Sequence, residues 1–392
     1  MSYKTKIIAS LNQKGGVGKT TTIANLGFAL ANMGRDVLLI DFDSQASLTN
    51  YLNVGLGDEE VYGIVDLLVK DLEDPDYTTE EIEDSTWDEL LKKCIVKPTY
   101  RGRVNKQDAD IAFGFDLIPS TLQLSDYDLW VTKNHMDGFE TVRLRSVIDR
   151  ILEYHEYDYI LIDCSPYLGV LTLNAVVASQ TGCLIPTNLD LMSTRGVKNL
   201  IEVIVQVQES IMFREKNGEI VETGDLHYGV LGVILNLYRE GRSVDTTIQN
   251  DIQRYYPFEI FKNTIPESVN AKKAVLGGLI YSQVYAKARD SYTKLAKEIE
   301  KQIKKRQWGE AIRLEVEAGT DKRLLEGIRH NTITQDNNNL LNMWTCPECG
   351  ANIPETESQC PACGCKEWIC PSCNRSNKAT SSFCAGCGKA VT

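Results

Sequence analysis

Three things are scarce in this 392-residue chain, and each scarcity excludes something. Long apolar sequence is the first. No run approaches the roughly 20 residues that a membrane-crossing helix needs, so a helical span is not expected. The start, Met1-Ser2-Tyr3-Lys4-Thr5-Lys6, leads straight into a short apolar stretch. No secretory leader is expected, and a cytoplasmic setting is. Cysteine is the second scarcity: before residue 345 there are only Cys94, Cys164 and Cys183. A disulfide framework for the body of the protein is excluded on that count. The third is basic charge where acid is densest: residues 71 to 89 hold ten Asp or Glu and no Lys or Arg. Such a run reads first as a solvated loop and only second as a docking site. The net charge of −12 argues against wholesale coating of a nucleic acid and leaves room for a local basic patch.

What is present begins at residue 14. Lys14-Gly15-Gly16-Val17-Gly18-Lys19-Thr20-Thr21 follows the apolar run Ile7–Leu11 and opens a helical pattern through Ile23, Ala24 and Leu26. Glycines let backbone N–H groups turn in around a polyphosphate, and the helix start adds partial positive charge. In such a loop Lys19 reaches the β- and γ-phosphates of ATP, and the Thr20 hydroxyl sits on Mg²⁺. Lys14 is an additional cation in the same loop. Two fixed cations repel one another unless a highly charged anion meets them.

The first 300 residues alternate buried strands with helices, the pattern of an α/β fold with a mostly parallel sheet covered on both faces. Strands are expected at Ile7–Leu11, Val37–Asp41, Phe115–Ile118, Tyr159–Asp163, Gly182–Pro186, Val230–Leu237 and around Ile265. Helices are expected at Thr21–Met33, Val142–Tyr154, Leu168–Ala178, Gly196–Ile211, Thr246–Tyr255 and Tyr285–Lys305. Residues 57–112 interrupt the rhythm as an insert, with short helices at Ile64–Leu68 and Thr86–Lys93 around the acidic loop. Inserts of this kind carry variable, partner-specific surface. The expected organisation is an ATPase domain over 1–305, a helical extension and linker over 306–343, and a cysteine-rich tail over 344–392. Gln335-Asp336-Asn337-Asn338-Asn339 supplies the linker composition.

Carboxylates stand where such a sheet binds its ligand. Val37–Ile40 runs into Asp41-Phe42-Asp43, and Tyr159–Ile162 runs into Asp163-Cys164-Ser165-Pro166. Strand ends beside a phosphate loop form the binding crevice of an open parallel sheet. Asp163 is the expected acidic partner for Mg²⁺. Any one of these Asp residues could instead cap a helix; the group together points to the crevice.

These segments resemble the ParA/MinD group of deviant-Walker ATPases, and within it the partition branch. The resemblance rests on Asn12-Gln13-Lys14-Gly15-Gly16-Val17-Gly18-Lys19-Thr20-Thr21, on Asp41-Phe42-Asp43-Ser44-Gln45 and on Asp163-Cys164-Ser165-Pro166. It extends to Pro119-Ser120, Asn174-Ala175, Ile265-Pro266 and the helix bearing Tyr292, Leu295, Ala296 and Glu298. Ser44 and Ser165 replace two prolines of the family pattern, which changes loop stiffness and leaves every charged role filled. The resemblance implies ATP hydrolysis with Mg²⁺ and an ATP-sandwich homodimer. Lys14 would cross to the partner's phosphates, and Gly15 would leave room for the opposing subunit. Asp43 would position the attacking water, Asp41 would support Mg²⁺ and the switch region, and Asp163 would hold Mg²⁺ through water. Asn236 and Pro266 are adenine-side candidates, Asn236 as a residue following a strand. Family members bind DNA without sequence preference. Candidate contacts are Arg239, Arg242, Arg254, Lys262, Lys272, Lys273, Lys287 and Arg289, read otherwise as scattered surface charge. A ParB-like activating protein would be the partner. The alternatives are a MinD-like positioning ATPase, an iron–sulfur carrier ATPase and an ATP-switched scaffold that leaves DNA alone. The MinD-like form lacks its basic amphipathic end here, and the carrier lacks its paired cysteines.

The tail carries a second, independent signal. Cys346-x2-Cys349-x10-Cys360-x2-Cys363 is repeated as Cys370-x2-Cys373-x10-Cys384-x2-Cys387, and Trp344 before the first is matched by Trp368 before the second. Two Cys-x2-Cys pairs give four thiolates for a closed structural Zn²⁺ site, so a double zinc ribbon with two Zn²⁺ per chain is expected. A unit of about 25 residues cannot build an adequate core, so the metal supplies its folding energy. Cys365 is left over, as a spare thiol or a substitute for Cys363. The tail is near neutral in charge, which favours protein recruitment over nucleic-acid binding.

Overall fold

The computed structural model describes residues 5–55, 61–70, 85–104, 107–134, 142–167, 169–188, 200, 204, 213–216, 219–222, 229–238, 260–276, 279–307, 343–345, 352–354, 367–369 and 376–378. Its centre is a seven-stranded sheet. In chain order the strands are β1 (Lys6–Ser10), β2 (Val37–Phe42), β3 (Asp116–Ile118), β4 (Tyr159–Cys164), β5 (Gly182–Asn188), β6 (Val230–Tyr238) and β7 (Ile265–Pro266). Across the sheet they lie β7-β6-β5-β1-β4-β2-β3, and every pairing is parallel. β1 sits in the middle, with Ser10 level with Asp163 of β4 on one side and Leu184 of β5 on the other.

The continuous apolar runs are explained by two separate cores. Ile7, Leu38, Ile40, Ile160 and Ile162 face one layer, and Ile8, Val37, Leu39, Tyr159 and Leu161 face the other. A strand buried on both faces has no polar side, so its sequence does not alternate. The helix α1 (Lys19–Asn32) and the long helix α2 (Ala286–Gln307) cover one face. The opposite face takes Ile64–Val69, Trp87–Cys94, Gln123–Asn134, Arg143–Tyr154 and Val170–Ala178. The helix Trp87–Cys94 shows local chemistry deciding an end: the Thr86 hydroxyl accepts from the Glu89 N–H, and Glu89 accepts in return from the Thr86 N–H.

The insert differs from its expectation as outer surface. Ile64, Leu67 and Leu68 are buried in the core, and the Ile64 N–H donates to the Pro119 carbonyl at 2.9 Å. Thr99–Val104 and Gln107–Ala112 form an antiparallel hairpin that the sequence reading did not assign. A second unassigned hairpin joins Phe213–Lys216 to Glu219–Glu222. Within the expected helix Gly196–Ile211 only Leu200 and Ile204 are described, both helical and buried. The expected helix Thr246–Tyr255 and most of the acidic run lie outside the described residues.

The chain divides into two compact units, Met1–Gln307 and Trp308–Thr392. The second unit contains two antiparallel hairpins, Met343–Thr345 with Asn352–Pro354 and Glu367–Ile369 with Ser376–Lys378. The second pair repeats the first in registration with the cysteine repeat, with one Cys-x2-Cys pair between the strands of each. All eight candidate zinc ligands lie outside the described residues, as do Cys365 and the linker Gln335–Asn339. Among the described residues no helix is long and apolar enough to cross a membrane.

Candidate functional site

At the carboxyl end of β1 the chain turns through residues 11–18 into α1. Gly16 and Gly18 have φ of +74° and +90°, which L side chains rarely adopt. No side chain caps the start of α1 and no acid lies in its first turn. A helix start left open in this way is an anion site by construction. The helix begins at Lys19, slightly ahead of the expected Thr21.

Asn12 organises the loop, a role that sequence reading passed over. It is buried, its amide donates to the Pro186 carbonyl at 2.8 Å, and its Oδ1 accepts from the Lys14 N–H at 2.9 Å. Its own carbonyl accepts from Lys19 Nζ at 3.0 Å. Lys19 is only 8% exposed, and burial pulls its pKa below the ordinary lysine value while Asp163, Cys164 and Asp43 pull it up. Lys14 is half-buried, with Nζ 3.5 Å from Asn188 Oδ1 of its own chain. Gly15 is exposed, and an added Cβ there would meet nothing within 4 Å.

Asn236 is placed differently from its expectation as a residue following a strand. It lies within β6, buried, and its amide donates to the Val17 carbonyl at 2.9 Å and to Thr22 Oγ1 at 3.0 Å. The side chain therefore props the phosphate loop from the neighbouring strand. Its Oδ1 has no partner among the described residues. Pro266 sits in the edge strand β7 opposite Tyr238, where a missing N–H is tolerated. Between Asn236 and Tyr238 the register slips at Leu237, whose φ is +54°.

A Cβ at Gly18 would lie 2.8 Å from Asn236 Nδ2. Gly18→Ala is accordingly expected to cost about 1–3 kcal/mol through the left-handed backbone and the displaced amide. Chemical denaturation measures that cost, and nucleotide affinity should fall with it. An unchanged denaturation midpoint would contradict the propping role of Asn236.

The carboxylates gather beside Lys19. Asp41 ends β2, wholly buried, and its Oδ2 accepts from the Thr49 N–H at 2.8 Å and the Thr49 hydroxyl at 2.7 Å. Thr49 Oγ1 in turn accepts from the Ser120 N–H at 2.9 Å. Asp41 thus anchors the segment after β2 and the loop after β3 at once. Burial pushes its pKa up to about 7, with the Asp43 charge adding. Asp43 lies just beyond the strand rather than in it. Its Oδ1 accepts from the Gln45 N–H at 3.1 Å, and its Oδ2 from the Ser47 hydroxyl at 3.0 Å. Asp163 is wholly buried at the end of β4, and neither of its oxygens completes a hydrogen bond among the described residues. Burial first, and Asp41 next, raise its pKa well above the usual carboxylate range, against the pull of Thr20 and Lys19.

A buried carboxylate with no partner is costly, and a divalent cation is the group that would repay it. Asp163 beside Thr20 fits Mg²⁺ on that test. Asp163→Asn is expected to stabilise the nucleotide-free protein, because it removes a buried carboxylate whose charged form burial and the neighbouring Asp41 disfavour. The same change should abolish the stabilisation given by Mg²⁺ with nucleotide, both effects read as melting temperatures.

A family described as "AAA domain" (AAA_31) is matched by residues 5–217, more than half of the chain. The chain belongs to this AAA domain family. It is also similar to partition proteins of the Soj and ParA kind. The sporulation initiation inhibitor protein Soj of Bacillus subtilis is 29% identical over 296 residues, which cover 75% of this chain and 98% of Soj. The chromosome partitioning protein ParA of Caulobacter vibrioides is 28% identical over 300 residues, 75% of this chain and 93% of that one. Among solved structures, cobyrinic acid a,c-diamide synthase from Mycobacterium smegmatis, crystallised with ADP and magnesium, is 25% identical with a TM-score of 0.51. That match covers 71% of this chain and 91% of the synthase.

Within this AAA domain the structure brings Lys19, Thr20, Asp41, Asp43 and Asp163 to one end of the sheet. Asn174, quoted for the resemblance, is structural: its Oδ1 accepts from the Leu144 N–H at 3.0 Å. Of the DNA candidates, Lys262, Lys273, Lys287 and Arg289 are exposed. Arg239, Arg242, Arg254 and the Lys272 side chain lie outside the described residues.

Proposed function

We propose that this protein is a partition or positioning ATPase that dimerises on ATP, hydrolyses it with Mg²⁺, and recruits a partner through a zinc-bound tail. The observation that carries the reading is Asp163, wholly buried beside Thr20, Lys19 and the open start of α1, with neither oxygen completing a hydrogen bond of ordinary geometry among the described residues. Lys19 and the N–H groups of Gly15 to Thr21 hold the phosphates. Thr20 and Asp163 hold Mg²⁺, which neutralises charge on the transferred group. Asp41 fixes the switch segment through Thr49. Asp43 orients water for in-line attack on the γ-phosphorus; the P–O bond to ADP breaks, and the water's protons leave with phosphate and solvent. Each Asp43 oxygen accepts one bond, from the Gln45 N–H and the Ser47 hydroxyl, which leaves each a second lone pair for water. Lys14 exchanges Asn188 for the phosphates of a second copy, and the bare backbone at Gly15 leaves that copy room. Asn236 and Pro266 are the adenine-side candidates of this reading.

Likeness to Soj and ParA supports a ParB-like activator and DNA binding that needs only phosphate contacts. The setting is cytoplasmic, on the nucleoid where DNA is bound. Asp43→Ala tests the reading. It should keep ATP binding and dimerisation while turnover falls by at least about a hundredfold, the scale of positioned acid–base help. Loaded with ATP, that variant should retard duplex DNA of any sequence at low salt. Lys14→Ala should bind nucleotide and stay monomeric. Normal turnover by the Asp43 variant would end the assignment of its role, and no retardation would favour the ATP-switched scaffold.

A further inference from the structure

Away from the phosphate loop, three stretches of chain remote in sequence line a half-open cavity of about 420 Å³. Phe28 and Met33 come from the last turns of α1. Tyr100 comes from the insert hairpin. Ser282, Gln283 and Arg289 come from the corner where Tyr281–Val284 meets α2. Phe28 is nine residues beyond Lys19, so the cavity opens about 14 Å along the helix from the phosphate loop. Its volume is within the range of small-molecule sites, about 300–1,000 Å³.

One feature makes it a built site rather than a packing gap. Arg289 is oriented from behind: its Nε donates to the Ser282 carbonyl at 3.1 Å, and Nη2 donates to the Gln283 carbonyl. Those bonds fix the plane of the guanidinium and leave its other N–H groups without a partner among the described residues. A planar cation held this way suits a carboxylate. Phe28 and Tyr100 add aromatic lining, with Tyr100 backed by Phe113 at 5.1 Å between ring centres.

We propose that this cavity binds a small carboxylic acid with a flat apolar body. The carboxylate meets Arg289, and the flat body lies against Phe28 and Tyr100. The site is separate from the nucleotide crevice and uses the insert hairpin as its third wall.

Indole-3-acetate is the probe, with indole-3-acetamide as the uncharged twin. Calorimetry on the full chain should show saturable binding of the acetate, at least tenfold tighter than the acetamide, and unchanged by saturating ADP with Mg²⁺. Arg289→Gln, at an exposed position, should cost the acetate at least tenfold and leave the acetamide as it was. Tyr100→Ala should weaken both probes. Absence of saturable binding by the full chain, equal affinity for the two probes, or displacement by ADP with Mg²⁺ would each overturn the proposal.

Discussion

Lys19→Ala is expected to cut ATP turnover by at least about a hundredfold, the usual cost of removing one preorganised charge from a transferring group. Steady-state phosphate release measures it. The side chain is buried, and its ammonium is held by the Asn12 carbonyl, so it is already aimed before nucleotide arrives. Three carboxylates, Asp41, Asp43 and Asp163, converge near it. Removing the cation leaves them to repel the phosphates unaided, so affinity and turnover fall together. That pattern separates Lys19 from Asp43, whose loss should spare affinity. Lys19→Arg should not rescue, because a guanidinium is larger and its planar fork cannot occupy a pocket shaped for an ammonium. Turnover within a factor of a few of the parent would remove Lys19 from the mechanism.

The second large effect concerns the tail. Eight cysteines in two matched sets should hold two Zn²⁺ per chain, measured by mass spectrometry of the intact protein or by elemental analysis. Structural zinc contributes on the order of 10–16 kcal/mol to the folding of such small units. Removing zinc with a zinc-selective chelator, Mg²⁺ being kept in excess, should therefore melt residues 344–392 as a unit while ATP turnover by residues 1–307 continues. In the sequence one Cys-x2-Cys pair falls between the strands of each short hairpin. One zinc or none per chain would sink the double ribbon. Loss of ATP-driven dimerisation after chelation would show that the tail supports the dimer instead.

The amino-acid sequence by itself determined the central strands, because a strand buried on both faces must be apolar throughout. Val37–Ile40 and Tyr159–Ile162 could be read without any partner in view. It determined the phosphate loop for a similar reason: Gly16 and Gly18 adopt backbone angles that few other residues tolerate, and Lys19-Thr20 follows in fixed spacing. The helix at Trp87–Cys94 was legible from its own first turn. The two unassigned hairpins were not. The hairpin Thr99–Val104 with Gln107–Ala112 is held partly by cross-strand pairs, Arg101 with Asp110 and Arg103 with Asp108, each at 3.1 Å. Polar strands of that kind carry no apolar period to read.

Only the tertiary structure decided which polar residues serve the site. Asn12 meets Pro186, Thr49 meets Ser120, and Asn236 meets Val17 across 219 positions of chain. Nothing in the local sequence of Asn236 distinguishes a turn residue from a buried prop. The same holds for Asp43, whose carboxylate is occupied by its own turn, and for Ile64–Val69, which left the expected surface for the core. Local spacing encodes backbone angles and which faces are apolar. Hydrogen-bond partners and cavity walls are set by the sheet order, which brings distant strands side by side.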